Sequence, residues 1–446
     1  MNSEFIFDHY VFDVQSQTVR FVYQVIHGKD SYRFEEKILL PLDLSFVDSD
    51  KILQTILQSV HVALGINYWK LFCPHKLSFI SYALSKRQAD FWNIVYTKGL
   101  GEFYYKNNIN FIDLVHFPYD ELVQDIAHPI DRNSRSLVGI GGGKDSVVSS
   151  RILQKTGVQF DGFVVETQKK YSIVHKVIQA LSIKEQCIQR TIDTQLFELN
   201  KQKNVFNGHV PVSMIYAFLG LLVAYLNKYT YIIVSNERSA DEGNKEYLHT
   251  TINHQWSKSS EFEKLLQEYI LHIISPDIYY FSLLRPYSEL QIAKLFVQET
   301  KFHHIFSSCN KNFRITASSS RRWCGECPKC AFTFILVAAF CSKDTVLRIF
   351  GSNFLNNQKL FSVYRQLWGV EGFKPFECVG TPDEAVVAMS MIHENADFED
   401  SIVMEEFISK ILPNVPNIQK LKQDVFVTKK TSTIPHEFQK LFNYDT

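Results

Sequence analysis

Two short strings carry residue types that do chemistry. In the first, Gly141, Gly142, Gly143, Lys144, Asp145 and Ser146 follow one another. Three glycines let a backbone turn tightly and bring several amides to phosphate oxygens, an approach that a Cβ would block. Asp145 and Ser146 stand where a helix is expected to begin, a position that favours a cap and an anion. A kinase-type phosphate loop needs Ser or Thr directly after Gly and Lys to ligate magnesium, and Asp145 occupies that place. The run is therefore a phosphate loop of another kind, set against a bland alternative in which it is only a tight strand-to-helix turn. In the second string, WCGECPKC, two residues separate Cys324 from Cys327 and Cys327 from Cys330, and Cys309 lies fifteen positions before Cys324. Such gaps let thiolates converge on one ion, and four thiolates suit structural zinc. A compact run of this kind also serves iron-sulfur clusters, although Phe334 and its neighbours stand where a further Cys would follow. Reduced, unliganded thiols are the third reading.

Elements must position these groups. Ser136 to Ile140 reads as a strand, and Val147 to Gln154 has helical spacing that stops at Gly157. Strand, loop and helix thus come in the order that a phosphate site requires. Phe160 to Val165 and Tyr231 to Val234 read as further strands, with a long helix from Pro211 to Leu226 between them. Alternation of this kind predicts an α/β fold with a doubly wound parallel sheet, whose ligands sit at the carboxyl ends of the strands. Before it, YVFDVQSQTVRFVYQV predicts hairpin strands from Phe5 to about Leu40, with helices from about Lys51. Asp131 to Ser136 is polar and reads as a linker, and from about Arg285 onward the chain is mostly helical. Three parts are expected: an N-terminal α+β domain over 1–132, an ATP-binding domain over 133–300, and a helical part with the Cys cluster over 301–446.

Composition bounds the function. With 446 residues, 46% hydrophobic and 14% aromatic, the chain can build large cores. Forty-seven basic residues balance 47 acidic ones, so no global field draws nucleic acid or an anionic membrane, and neither is expected as a partner. The start lacks the basic and apolar segments of a secretory signal, and the apolar runs Met214–Leu226 and Ala331–Cys341 are too short to span a bilayer. A cytoplasmic location is expected, consistent with only eight Cys.

The run 141–146 resembles the pyrophosphatase loop of the adenine nucleotide α-hydrolase-like enzymes, whose pattern is Ser, Gly, Gly, any residue, Asp, Ser. Positions 142–146 fit it, and Gly141 stands where that group has Ser. The resemblance implies that ATP is cleaved between its α and β phosphates, with an oxygen adenylated and pyrophosphate released. Further strings are similar to one family in that group, the UDP-N-acetylmuramoyl-L-alanyl-L-glutamate epimerases. They are FDHYVFD, NGHVP (207–211), SNERSADEGN (235–244), NHQWSKS (253–259), LRPYSE (284–289), RRWCGECPKC (321–330) and GFKPFECVGT (372–381).

That resemblance implies a reaction in peptidoglycan precursor synthesis. The terminal L-glutamate of a UDP-linked muramoyl dipeptide becomes D-glutamate while ATP gives AMP and pyrophosphate. A proton beside a carboxylate is very weakly acidic, because its removal makes a dianion, and acyl adenylation cancels that charge. Magnesium is then needed at the departing pyrophosphate, held by Asp145 directly or through water. For the proton, Cys378 is the first candidate, because a thiol of lowered pKa can act as base and, when protonated, as acid. His209 and His254 are the others. Ser235, Asn236, Glu237 and Arg238 follow a strand and are expected to meet nucleotide or dipeptide. Asn207, Asn253, Gln255, Trp256, Arg285 and Lys374 complete the substrate set, Arg285 for a carboxylate or phosphate and Trp256 for stacking on uracil. Two other functions compete: an RNA-modifying or nucleobase-forming pyrophosphatase, and a nucleotide-binding module without catalysis.

Overall fold

The computed structural model describes residues 3–41, 50–315 and 321–442. Apolar residues at every second position make the amino-terminal strands. In β1 (Ser3–Asp13) and β2 (Thr18–His27), Phe5, Phe7, Val19, Phe21, Tyr23 and Val25 all point into one core. With β3 (Asp30–Leu39) they form an antiparallel meander, and β4 (Lys76–Phe79) joins β1 in parallel.

The strands that follow alternate with helices. They are β5 (Asn133–Gly139), β6 (Phe160–Thr167), β7 (Glu185–Thr191) and β8 (Tyr229–Val234). A short ribbon, β9 (Lys245–Tyr247) with β10 (Thr250–Ile252), precedes β11 (Tyr279–Ser282). β6 is buried along its whole length, as a central parallel strand covered on both faces must be. Sequence periodicity alone does not reveal β7 or β11, because neither is strongly apolar or long. The polar stretch expected as a linker enters β5 at Asn133 instead. Its charges are absorbed locally: the Arg135 guanidinium pairs with buried Asp161 and lies 5.6 Å from the Tyr229 ring.

One sheet of nine strands contains all but the ribbon, in the order β11-β8-β5-β6-β7-β3-β2-β1-β4. The first five are mutually parallel. β7 then meets β3 antiparallel through three residue pairs, Lys37 with Thr191, Ile38 with Arg190 and Leu39 with Gln189. The expected boundary at 132/133 therefore falls inside one continuous sheet. At the seam, the fully buried Glu36 accepts from Arg190 Nε at 2.6 Å and from the Tyr68 hydroxyl at 2.9 Å.

Each face of the sheet carries its own apolar core. Helices Lys51–Trp69 and Val212–Leu226 cover one face, with Ile56, Leu64, Phe218 and Leu222 packed under β1, β2 and β8. Helices Lys144–Lys155, Ser172–Leu181, Glu289–Phe296 and Pro328–Ala338 cover the other. Within the parallel part, the chain runs outward from β5 to β6 and β7 on one side and to β8 and β11 on the other. The carboxyl ends of β5 and β8 thus flank the crevice where strand order reverses, which is where doubly wound sheets bind ligands. Among the described residues no helix is long and apolar enough to cross a membrane.

Candidate functional site

The glycine loop leaves β5 at this crevice. Gly142 has φ +76°, in the left-handed region, and a Cβ there would meet Ile173 Cγ2 at 3.2 Å and the Val174 backbone at 3.4 Å. Gly143 caps the Lys144–Lys155 helix with no side-chain hydrogen bond, so the first-turn amides face the crevice without an internal cap. A Cβ on Gly141 would meet nothing within 4 Å, so that face of the loop is open. Ser146 Oγ donates to the Gly143 carbonyl at 3.1 Å. The buried Lys144 ammonium lies between the carboxylates of Asp145 and Glu289. Burial works against its charge, and Asp145 and Glu289 more than restore it, holding the lysine protonated. Burial pushes the Glu289 carboxyl upward, with Asp145 and Glu237 adding their repulsion.

The three proton-transfer candidates named from sequence converge. Cys378 Sγ accepts from Lys258 Nζ at 3.3 Å, and His254 acts on its charge. On its other side, His254 Nδ1 meets the Glu102 carboxylate. The His209 ring stacks 4.5 Å from His254, and its Nδ1 is 3.5 Å from Glu102. Burial would raise the Cys378 thiol, but Lys258, His254 and Lys329 bring it down to about 5. Burial would lower His254, but Cys378 and Glu102 raise it to about 9. Glu102 is held down at about 2 against its burial, by His254, His209 and Lys106, whereas burial leaves His209 neutral, lowered to about 3. Sulfur and imidazole thus form a thiolate–imidazolium pair at neutral pH. Glu102, His209 and His254 lie close enough together for a metal ion, all within 4.8 Å. An imidazolium has no lone pair to offer one.

This chain reaches the glycine loop through shared cations. Lys258 and Lys329 act electrostatically on both Asp145 and Cys378, and Glu237 acts on Lys144 and Lys258. One charged cluster therefore links the phosphate loop to the sulfur.

Other residues named from sequence divide into facing and bracing groups. Ser235 Oγ, just beyond β8, is buried with no hydrogen-bond partner among the described residues. Glu237 is buried among the lysines, and the Asn236 carbonyl accepts from Ser282 Oγ at 2.5 Å. The buried Lys374 ammonium donates to the Glu242 carbonyl at 3.2 Å, and burial lowers its pKa. Four residues expected to meet substrate are engaged within the chain. Arg285 spends its guanidinium on Glu263 (3.0 and 2.7 Å) and on the carbonyls of Glu237 and Lys258, so it fastens loops. Arg238 donates to the carbonyls of Val425 and Val427, tying down the C-terminal segment. Trp256 is 5% exposed, packs on Phe262 and donates to Glu261 at 2.9 Å, which leaves no face for uracil. Asn253 shapes its own turn, accepting from the Gln255 amide at 2.7 Å and donating to the Ala240 carbonyl at 2.9 Å. Gln255 Nε2 braces the Val379 carbonyl at 3.1 Å, and Asn207 accepts from Lys70 Nζ at 3.4 Å.

Sequence reasoning missed Glu102, Lys258, Lys329, Glu289 and Asn244. Asn244 joins the two halves of the chain at the sulfur: it donates to the Pro375 carbonyl at 2.8 Å and accepts from the His254 amide at 2.8 Å. Lys258, Lys329, Glu289 and Asn244 sit inside strings already singled out. Glu102, on the short Gly101–Lys106 helix, has no sequence signal, since only the fold brings it to His254.

The four cysteines also converge, with their Sγ atoms within 4.8 Å of one another. A tetrahedron of sulfurs about 2.3 Å from zinc has edges of about 3.8 Å. Cys324 Sγ and Cys330 Sγ stand 3.7 Å apart, far too distant for a disulfide. Gly325, with φ +66°, turns the chain between Cys324 and Cys327, and Cys327 caps the Pro328–Ala338 helix, whose positive end favours thiolates. The thiols share their protons unequally: hydrogen bonds from Cys327 and Cys330 lower Cys309 strongly, while their bonds to Cys309 raise Cys327 and Cys330. Cys309 follows a segment that crosses the glycine loop. The Ser307 amide donates to the Gly142 carbonyl at 3.1 Å, and a Cβ on Gly143 would meet Ser308 Oγ at 3.2 Å.

Family models match two stretches, the MurL N-terminal domain over residues 1–283 and the MurL C-terminal domain over residues 305–422. Three relatives named UDP-N-acetyl-alpha-D-muramoyl-L-alanyl-L-glutamate epimerase are each 34% identical to the chain. The Salinispora tropica protein aligns over 91% of this chain and 88% of its own length, the Micromonospora protein over 98% and 97%, and the Xanthomonas oryzae pv. oryzae protein over 93% and 91%.

Proposed function

The chain belongs to the UDP-N-acetyl-alpha-D-muramoyl-L-alanyl-L-glutamate epimerase family, and from that premise we propose that it inverts the terminal L-glutamate of the UDP-linked dipeptide through an acyl adenylate. It is an isomerase, acting in peptidoglycan precursor synthesis. The observation that carries the mechanism is the charged cluster that joins the loop at Asp145 to the Cys378–His254–Glu102 chain.

The open amides at the start of the Lys144–Lys155 helix would cradle the phosphates of ATP, with the Gly141 face left clear. Magnesium would be held by Asp145, beside Glu289 and Glu237, and would neutralise the leaving pyrophosphate. Zinc would be held by Cys309, Cys324, Cys327 and Cys330 and would be structural. The α-carboxylate of glutamate attacks the α-phosphorus, and pyrophosphate departs. Adenylation removes the carboxylate charge that had kept the α-proton in place. Movement of that proton belongs to the Cys378–His254–Glu102 chain, in which Glu102 orients the His254 ring. Lys374 is the cation suited to the γ-carboxylate, being buried near Cys378. Hydrolysis then frees the D-glutamyl product.

Incubation of the protein with magnesium ATP and UDP-linked L-alanyl-L-glutamate should release pyrophosphate and give D-glutamate on hydrolysis of the dipeptide. Pyrophosphate without D-glutamate would remove the epimerase reading, and inversion without ATP would remove the adenylate.

A further inference from the structure

We propose that Cys378 takes the glutamyl group from AMP as a covalent thioester, and that inversion occurs on this enzyme-bound acyl group. This deepens the epimerase reading and rests on it. The sulfur has the surroundings of a nucleophile: an ammonium 3.3 Å away on Lys258, an imidazole as partner on His254, and a carboxylate, Glu102, behind the ring to orient it. It also shares its cations with the place of activation, because Lys258 and Lys329 act electrostatically on both Asp145 and Cys378.

Chemistry separates the two roles open to such a sulfur. A thiolate whose acid form titrates near 5 is a feeble base toward a carbon acid. Its nucleophilicity suffers far less, falling only about half as steeply as its basicity. The site has thus kept the reactivity that forms a bond to carbonyl carbon and given up much of the reactivity that removes a proton.

The steps balance. The Cys378 thiolate attacks the carbonyl carbon of the acyl adenylate, a C–S bond forms, the C–O bond to phosphate breaks, and AMP leaves with the electron pair; no proton is exchanged. Lys258 and His254 then lose their anionic partner. The Lys258 ammonium remains beside the thioester carbonyl, where enolate charge develops; the His254 imidazolium, no longer facing an anion on sulfur, gives one proton to solvent and, with Glu102 behind it, is left as the neutral base that takes the α-proton and returns it. Water finally attacks the thioester carbon, the C–S bond breaks, and the pair returns to sulfur as the carboxylate is freed; of the two protons of that water one restores the His254 imidazolium and one passes to solvent.

Rapid acid quench of the wild-type protein turning over magnesium ATP and the L-dipeptide tests this. Intact-mass analysis should find a species heavier by the substrate less one water, with the increment on the Cys378 peptide and removable by neutral hydroxylamine. The same samples report pyrophosphate and D-glutamate, so their absence condemns the epimerase reading rather than the thioester. Turnover with acyl adenylate as the sole trapped intermediate would overturn the proposal. So would a folded Cys378→Ala protein that epimerises within roughly ten-fold of wild type, since loss of the group should cost at least roughly a hundred-fold.

Discussion

Burying a thiolate, an imidazolium and a carboxylate in one line is tolerable only because each neighbours an opposite charge. That arrangement sets a pH window. Cys378 is lowered, so its thiolate is present above about 5 and lost as pH falls through that value. His254 is raised, so its imidazolium is present below about 9 and lost as pH rises through it. The kcat/KM profile should therefore be bell-shaped, with limbs near those values that belong to the pair jointly; a profile with no acid fall near 5 and no alkaline fall near 9 would contradict the ion pair. Glu102→Gln removes one of the two anions that hold His254 up. It should move the alkaline limb to lower pH and reduce turnover roughly a hundred-fold, and an unmoved limb would show that Glu102 does not govern the ring. At this scale much was readable from the sequence. Cys378, His209 and His254 stand in strings whose residue types announce chemistry, whereas Glu102 lies in a plain helical turn. Arg285 and Trp256 misled for a physical reason: a guanidinium and an indole satisfy buried carbonyls and carboxylates as readily as they meet a ligand, and spacing does not distinguish the two.

Secondary elements decide how the groups meet. The Lys144–Lys155 helix presents open amides because Gly143 supplies no cap, and the strand before it aims them into the crevice. The strand-loop-helix order was legible because glycine, apolar run and helical spacing are all local signals. β7 and β11 were not, since short strands with polar positions take their stability from neighbours on the sheet. The Cys cluster adds a link between elements, because Cys309 and the amide of Ser307 fix one segment against both the thiolates and Gly142. Purified protein should contain about one equivalent of zinc, with less than about a tenth contradicting the site. Its removal by chelation, or Cys327→Ser, should weaken ATP binding measured calorimetrically, and undiminished affinity would separate the cluster from the loop.

At the scale of the molecule, the parallel fold was legible in the alternation of strands and helices, but the union of its sheet with the amino-terminal meander was not. A polar stretch around residue 133 looks like a linker when read alone, and only pairing partners distant in sequence reveal a strand. The seam between β3 and β7 should be costly to disturb. Glu36→Gln leaves Arg190 buried beside a neutral group and should lower unfolding free energy by about 3–5 kcal/mol in urea titration, and a loss below about 1 kcal/mol would mean the pair is not buried in solution. A chain starting near Asn133 should fail to fold, because it strips β7 of β3 and removes half of the core that Phe218 and Leu222 pack into; a soluble, active product would refute the shared core. The same seam limits how the molecule can move. Three rungs of backbone pairing with a shared apolar underside tie the meander to the parallel sheet and work against a clamshell motion between those two parts. Reactants must therefore reach Lys258, at the end of the short Trp256–Lys258 helix, and half-buried Cys378 past the segments that carry them. Any movement that admits reactants would then belong to the segments around the site and not to the sheet.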